Sequence, residues 1–87
     1  MLRYNQAMKV TIYSTPSCPW CKREKQYLKE KGVKFEDVDV AADERKADEL
    51  VEKSGQMAVP VTVIENGDTE DVIVGFNERK LNELLGL

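Results

Sequence analysis

The sequence predicts an α/β fold: a mixed four-stranded sheet flanked by helices, in the order β-α-β-α-β-β-α. Three observations carry this. A β-branched alternating run, a charged helical pattern and a second β-rich run follow one another between residues 9 and 40, the make-up of a right-handed parallel crossover. Asn66-Gly67, set between two valine-rich runs, is a strong hairpin signal and makes those two strands antiparallel. The chain then closes on a helix with a leucine edge.

At 87 residues there is room for one domain with a single modest core. Thirteen basic and sixteen acidic residues give a net charge of −3, which argues against a nucleic-acid or anionic-membrane surface as the main business. No run approaches the roughly 18 apolar residues of a membrane span, and the first eight residues hold no apolar signal core. No membrane partner and a cytoplasmic location are therefore expected. Residues 1–8 are polar and irregular and read as an N-terminal tail, leaving 9–87 as the domain.

Residues 9–13 alternate, with Val10 and Ile12 on one face and Thr11 and Tyr13 on the other, as a strand requires. From 19 to 31, Cys21, Lys25 and Leu28, with Tyr27 beside them, follow helical spacing, and Gly32 suits the stop. The opposite face is basic, and a solvated charge run is weighed above a docking surface for acidic partners. A second strand is expected over 35–40, with Val38 and Val40 facing the same way. Asp43 can cap a second helix reaching Ser54, with Ala47, Leu50, Val51 and the stem of Lys53 inward and Gly55 ending it. Residues 59–64 form a β-rich segment opened by Pro60, a residue confined to strand starts, edges or bulges. After the hairpin the chain returns through 72–74, and Asn77 can cap a last helix whose apolar edge is Leu81, Leu84 and Leu85.

Between the first strand and the first helix lies Ser14-Thr15-Pro16-Ser17-Cys18-Pro19-Trp20-Cys21, and it carries the chemistry. Two cysteines separated by two residues form a dithiol that can open and close as a disulfide. Cys18 falls at the helix start, where unpaired backbone N–H groups and the helix dipole favour a thiolate over a thiol. Cys21 lies one turn further on and is less open to water, so it is the natural resolving thiol. Pro19 fits the first helical turn, because the N–H it lacks would be unpaired there anyway. Lys22, Arg23 and Lys25 add positive potential beside the sulfurs. The same spacing also serves zinc and iron–sulfur sites, and two cysteines can be inert core residues. With no histidine and no third cysteine in the chain, a metal site would need a second copy or added small-molecule thiols, and no metal ligand set is assigned.

The stretches Tyr13-Ser14-Thr15-Pro16-Ser17-Cys18-Pro19-Trp20-Cys21, Ser54-Gly55-Gln56-Met57-Ala58-Val59-Pro60 and Val74-Gly75-Phe76-Asn77 together resemble the glutaredoxins of the thioredoxin fold, over roughly residues 8–87. The resemblance implies a thiol–disulfide oxidoreductase acting on protein or glutathione mixed disulfides, with Cys18 as nucleophile and Cys21 resolving. It further implies a cis peptide before Pro60, which would leave the backbone groups of Val59 free to pair with a substrate chain like an added strand. Thr15, Pro19, Trp20, Val59, Pro60, Gly75, Phe76 and Asn77 become the expected substrate-facing residues. Trp20 stands where tyrosine is usual. Two departures concern glutathione: Thr15 replaces a lysine that helps hold its carboxylate, and Val74 to Asn77 replace a Gly-Gly segment followed by an acidic cap. In these the chain looks closer to the small glutaredoxin-like redoxins reduced by thioredoxin reductase, whereas Pro19-Trp20 points back to glutaredoxin. The electron donor, glutathione or a thioredoxin-reductase-type protein, stays open at this stage. A monomer without a tightly bound cofactor is expected. The alternative is a dimeric iron–sulfur carrier with one Cys18 per chain and external thiols, a role that Pro19 would hinder by stiffening the loop.

Overall fold

The computed structural model describes residues 8–87. The expected tail lies outside them except for Met8, whose partly buried side chain packs against the core. The elements are β1 (Lys9–Ser14), α1 (Pro19–Glu30), β2 (Glu36–Asp39), α2 (Glu44–Ser54), β3 (Val61–Asn66), β4 (Thr69–Val74) and α3 (Glu78–Leu85). The strands form one sheet in the order β2-β1-β3-β4, with β1 and β2 parallel and the other two pairs antiparallel. This is the mixed sheet and the element order expected from the sequence.

As a central strand, β1 is buried on both faces. Val10 and Ile12 join Leu28, Val33, Ile64, Ile73, Leu81 and Leu85 in the layer under α1 and α3. On the other face Tyr13 joins Val38, Val40, Leu50, Val61 and Val63, the layer under α2. The caps follow the sequence reading: the Asp43 carboxylate accepts from the N–H of Arg45 and Lys46, and Asn77 accepts from that of Lys80. Gly55 ends α2 in the left-handed conformation at φ 78°.

Four expectations are corrected in detail. The hairpin pairs Asn66 with Thr69, so its two-residue loop is Gly67-Asp68. Gly67 supplies the positive φ, 63°, that the first loop position needs. Strand β3 begins at Val61, after Pro60, which has no N–H to give the ladder. On α2, Val51 is exposed, because it lies about 100° around the helix from Leu50. On α1 the inward stripe is Cys21, Glu24 and Leu28, with Lys25 only half-buried and bonded to Asp37.

Glu24 is the least expected core residue. Its side chain is 0 % exposed, and Thr62 of β3 donates its hydroxyl to Oε2. The register explains the meeting, since Thr62 pairs with Ile12 and Ile73 and so points into the layer under α1. The other carboxyl oxygen, Oε1, has no partner. Burial raises the carboxyl from 4.5 to about 7, against the opposing effect of the Thr62 hydrogen bond. The folded chain thus holds this proton more tightly than the unfolded chain does. The stabilisation is complete below about pH 4.5, declines as pH rises toward about 7, and is absent above it. At about 1.4 kcal/mol for each pH unit between the two values, the loss is about 3 kcal/mol. Denaturant unfolding of the wild type at about pH 5 and pH 8 should show this loss, and Glu24→Gln should flatten it; an equal slope in both proteins would contradict the assignment.

Candidate functional site

Three separate stretches of chain meet at one edge of the sheet. The register pairs Tyr13 with Val61 and Val61 with Val74, so the exits of β1 and β4 and the approach to β3 lie side by side. Beyond these paired residues come the Thr15 to Cys21 stretch, Val59-Pro60 and Gly75-Phe76. The Gly75 N–H donates to the carbonyl of Pro60 at 2.8 Å, tying the second stretch to the third. The left-handed φ of Gly75, 83°, allows this turn straight out of β4. The Val59-Pro60 peptide is cis, as the family resemblance implied.

Cys18 is the N-cap of α1, with extended backbone at φ −87° and ψ 111°. Its Sγ accepts a hydrogen bond from the Cys21 N–H at 3.1 Å, the position a capping serine or aspartate oxygen usually takes. Pro19 occupies the first turn. Both cysteines are free thiols; Cys18 is part-exposed and Cys21 is buried. Burial, reinforced by the hydrogen bond to Cys18, pushes the Cys21 thiol up to about 12, only partly offset by the Thr15 backbone and the Lys25 charge. The pair is therefore asymmetric, with one sulfur presented and one held in reserve behind it.

Two shallow apolar concavities share Val59. One, of about 250 Å³, is lined by Trp20, Val59, Pro60, Gly75 and Phe76. The other, of about 200 Å³, is lined by Thr15, Val40, Met57, Ala58 and Val59. Trp20 is 58 % exposed and leans on Phe76 with ring centroids 6.4 Å apart. The Arg23 guanidinium lies 5.7 Å from the Trp20 ring centroid, within cation–π range. Of the residues expected to face substrate, the structure thus gathers Thr15, Trp20, Val59, Pro60, Gly75 and Phe76 around these surfaces. Pro19 and Asn77 line neither: Pro19 starts α1, and Asn77 spends its side chain on the α3 cap. Sequence reasoning missed Val40, Met57 and Ala58 as lining residues. Met57 and Ala58 stand directly before Val59 in the quoted motif, which was the available signal.

Whereas Arg23 stays over the Trp20 ring, Lys22, Lys25 and Lys29 of α1 lie away from these concavities, toward β2. A separate, larger concavity of about 790 Å³ there is lined by Lys22, Lys25, Lys29, Val33 and Phe35 among others. Lys25 pairs with Asp37 at 2.8 Å, and Ser14 donates to the same carboxylate at 2.6 Å. Partial burial works against the Asp37 charge, yet these two hydrogen bonds outweigh it and hold the carboxyl below its ordinary range. Among the described residues, no three His, Cys, Asp or Glu side chains cluster in a way that could hold a metal ion.

The sequence profile of the family described as Glutaredoxin matches residues 10–69. An uncharacterised glutaredoxin-like 8.6 kDa protein in the rubredoxin operon of Clostridium pasteurianum is 45% identical over 76 residues, covering 87% of this chain and 96% of that protein. Among solved structures, a glutaredoxin from Archaeoglobus fulgidus superposes with a TM-score of 0.71 at 37% identity, covering 87% of this chain and 84% of its own. The glutaredoxin-like NrdH-redoxin of Escherichia coli, described as having a thioredoxin-like activity profile, gives 0.68 at 28% identity, over 87% of this chain and 93% of its own.

The asymmetry of the two thiols has a direct chemical readout. Iodoacetamide at neutral pH should add a single group to the folded protein, at Cys18, and a second at Cys21 only after unfolding, because alkylation requires an accessible thiolate. Peptide mass spectrometry locates the adducts, and rapid labelling of Cys21 in the folded chain would contradict the geometry.

Proposed function

The chain belongs to the glutaredoxin family, and we propose that it is a thiol–disulfide oxidoreductase that reduces protein disulfides in preference to glutathione adducts. The observation that carries this reading is the placement of Cys18 as the part-exposed N-cap of α1, with the buried Cys21 one turn behind it. In the first step the Cys18 thiolate attacks a substrate disulfide, forming a mixed disulfide and releasing one substrate thiol. The Cys21 sulfur then attacks Sγ of Cys18, which releases the second thiol and leaves a Cys18–Cys21 disulfide. An external reductant reopens it.

The surroundings support a peptide substrate. The two concavities beside the dithiol are lined by apolar side chains, backbone and Thr15; no cation is among the lining residues, and the nearby Arg23 guanidinium lies over the Trp20 ring. An uncharged surface of this kind suits residues flanking a cysteine in a protein, and the Val59 backbone can pair with an extended chain. The α3 N-terminus offers N–H groups, but Glu78 in its first turn works against an incoming anion. The same balance favours a protein reductant over glutathione.

NADPH consumption with a protein disulfide substrate should be fast with a thioredoxin-reductase-type donor and slow with glutathione plus glutathione reductase. Cys18→Ser should remove all turnover. Cys21→Ser should lose dithiol reduction while still forming a stable mixed disulfide through Cys18. Full activity in Cys18→Ser would end the assignment, and equal rates with both donors would remove the preference for proteins.

A further inference from the structure

The resolving step leaves one proton without a destination. While a substrate sulfur is bonded to Cys18, that sulfur can no longer accept a proton, yet Cys21 must lose its own before it can attack. Cys21 is 0 % exposed, so bulk water does not reach the thiol to take it. Among the described residues, the buried polar side chains are Thr11, Ser14, Glu24 and Thr62. Only Glu24 is an acid–base group.

We propose that Glu24 is the proton acceptor of the resolving step, taking the Cys21 proton on Oε1 as the Cys21 sulfur attacks Cys18. This rests on the dithiol reading above and adds a residue to it. Cys21 and Glu24 are three residues apart on the inward stripe of α1, a spacing that sets Cβ atoms about 5–6 Å apart. Thr62 holds Oε2 from the sheet side, which leaves Oε1 buried with no hydrogen bond. An unpaired buried acceptor in a native core calls for an explanation, and a buried donor thiol one turn away supplies one. Catalytic hydrogen bonds are commonly loose before the reacting complex forms.

The electrons and protons balance. The proton moves from Sγ of Cys21 to Oε1 of Glu24, and the Cys21 sulfur bonds to that of Cys18. The bond from Cys18 to the substrate sulfur breaks, and its electron pair leaves on the substrate thiolate. The dithiol is oxidised and the substrate disulfide reduced. When a reductant thiolate later opens Cys18–Cys21, the departing Cys21 thiolate takes the proton back from Glu24. Among the described residues, β1 and β3 turn Val10, Ile12 and Ile64 to this layer and α3 turns Leu81 and Leu85, while Tyr27 of α1, the other titratable side chain packed against it, donates its hydroxyl to Asn82. On α1 itself, Cys18 is engaged in the mixed disulfide and Lys25 is paired with Asp37. Burial brings the Glu24 carboxyl to about 7, so the form able to accept a proton is present from neutral pH upward.

Reaction with excess dithiobisnitrobenzoate, a chromogenic aromatic disulfide, separates the steps. Cys18 releases the first coloured thiolate at a rate proportional to reagent, and Cys21 releases the second at a rate independent of it. In the wild type the second rate should rise with pH through about 7. Glu24→Gln keeps the shape and an acceptor oxygen for Thr62. It should leave the first phase unchanged, slow the second about 10²-fold near pH 8, and remove the inflection. Thr62→Val, which removes the one hydrogen bond favouring the ionised carboxyl, should move the inflection to higher pH and covers the case where Glu24→Gln does not fold. An unchanged second phase in Glu24→Gln would overturn the proposal, as would a uniformly slower one that keeps the inflection. Cys18→Ser is the separate control, because a rapid first phase surviving there would defeat the dithiol reading itself.

Discussion

Pairing of β1 with β3 is the constraint on which the candidate site depends. Both strands are central in the sheet, and their ladder, with Tyr13 opposite Val61, cannot slip without turning apolar side chains to the wrong layer. The chain leaving β1 toward Cys18 therefore passes beside Val59 and Pro60 as they enter β3. The ladder between β3 and β4 then brings Gly75 and Phe76 to the same place. A dithiol far from the other motifs in sequence acquires its surroundings through these two registers alone.

Polar groups in the interior and at its rim are handled in three ways. Tyr13 donates its hydroxyl to Glu49, so an aromatic ring fills the layer under α2 while its polar end reaches the rim. Asp37 is bound by both Ser14 and Lys25, which keeps it ionised beside the first turns of α1. Glu24 is treated differently. It has one donor for two oxygens and a raised proton affinity, so it is held in the core at a cost to stability. Such groups tend to gather at functional sites, where perturbed acids and bases are useful.

Charge and apolar surface are separated around α1. Its basic side chains border the concavity toward β2, whereas the face beside Cys18 is made by Trp20, Phe76, Val59 and Met57. Arg23 lies near the boundary, over the Trp20 ring. This division follows from helical geometry, because positions 22, 25 and 29 share a side of the helix that residue 20 does not.

By itself the sequence determined the element order, the helix caps at Asp43 and Asn77, the hairpin and the identity of the dithiol. Each depends on neighbours within a few residues, and short-range rules govern those. It also pointed to Val59, Pro60, Gly75 and Phe76, but through family resemblance rather than local chemistry. What tertiary structure decided was which faces are buried and what meets there. A periodic reading placed Lys25 on the inner stripe and Val51 in the core; packing against the sheet chose Glu24 and left Val51 in solvent. The meeting of Glu24 with Thr62, 38 residues apart, and of Met57 with Thr15 depends on strand register. Register is set by the burial of the whole sheet, which no short window of sequence contains.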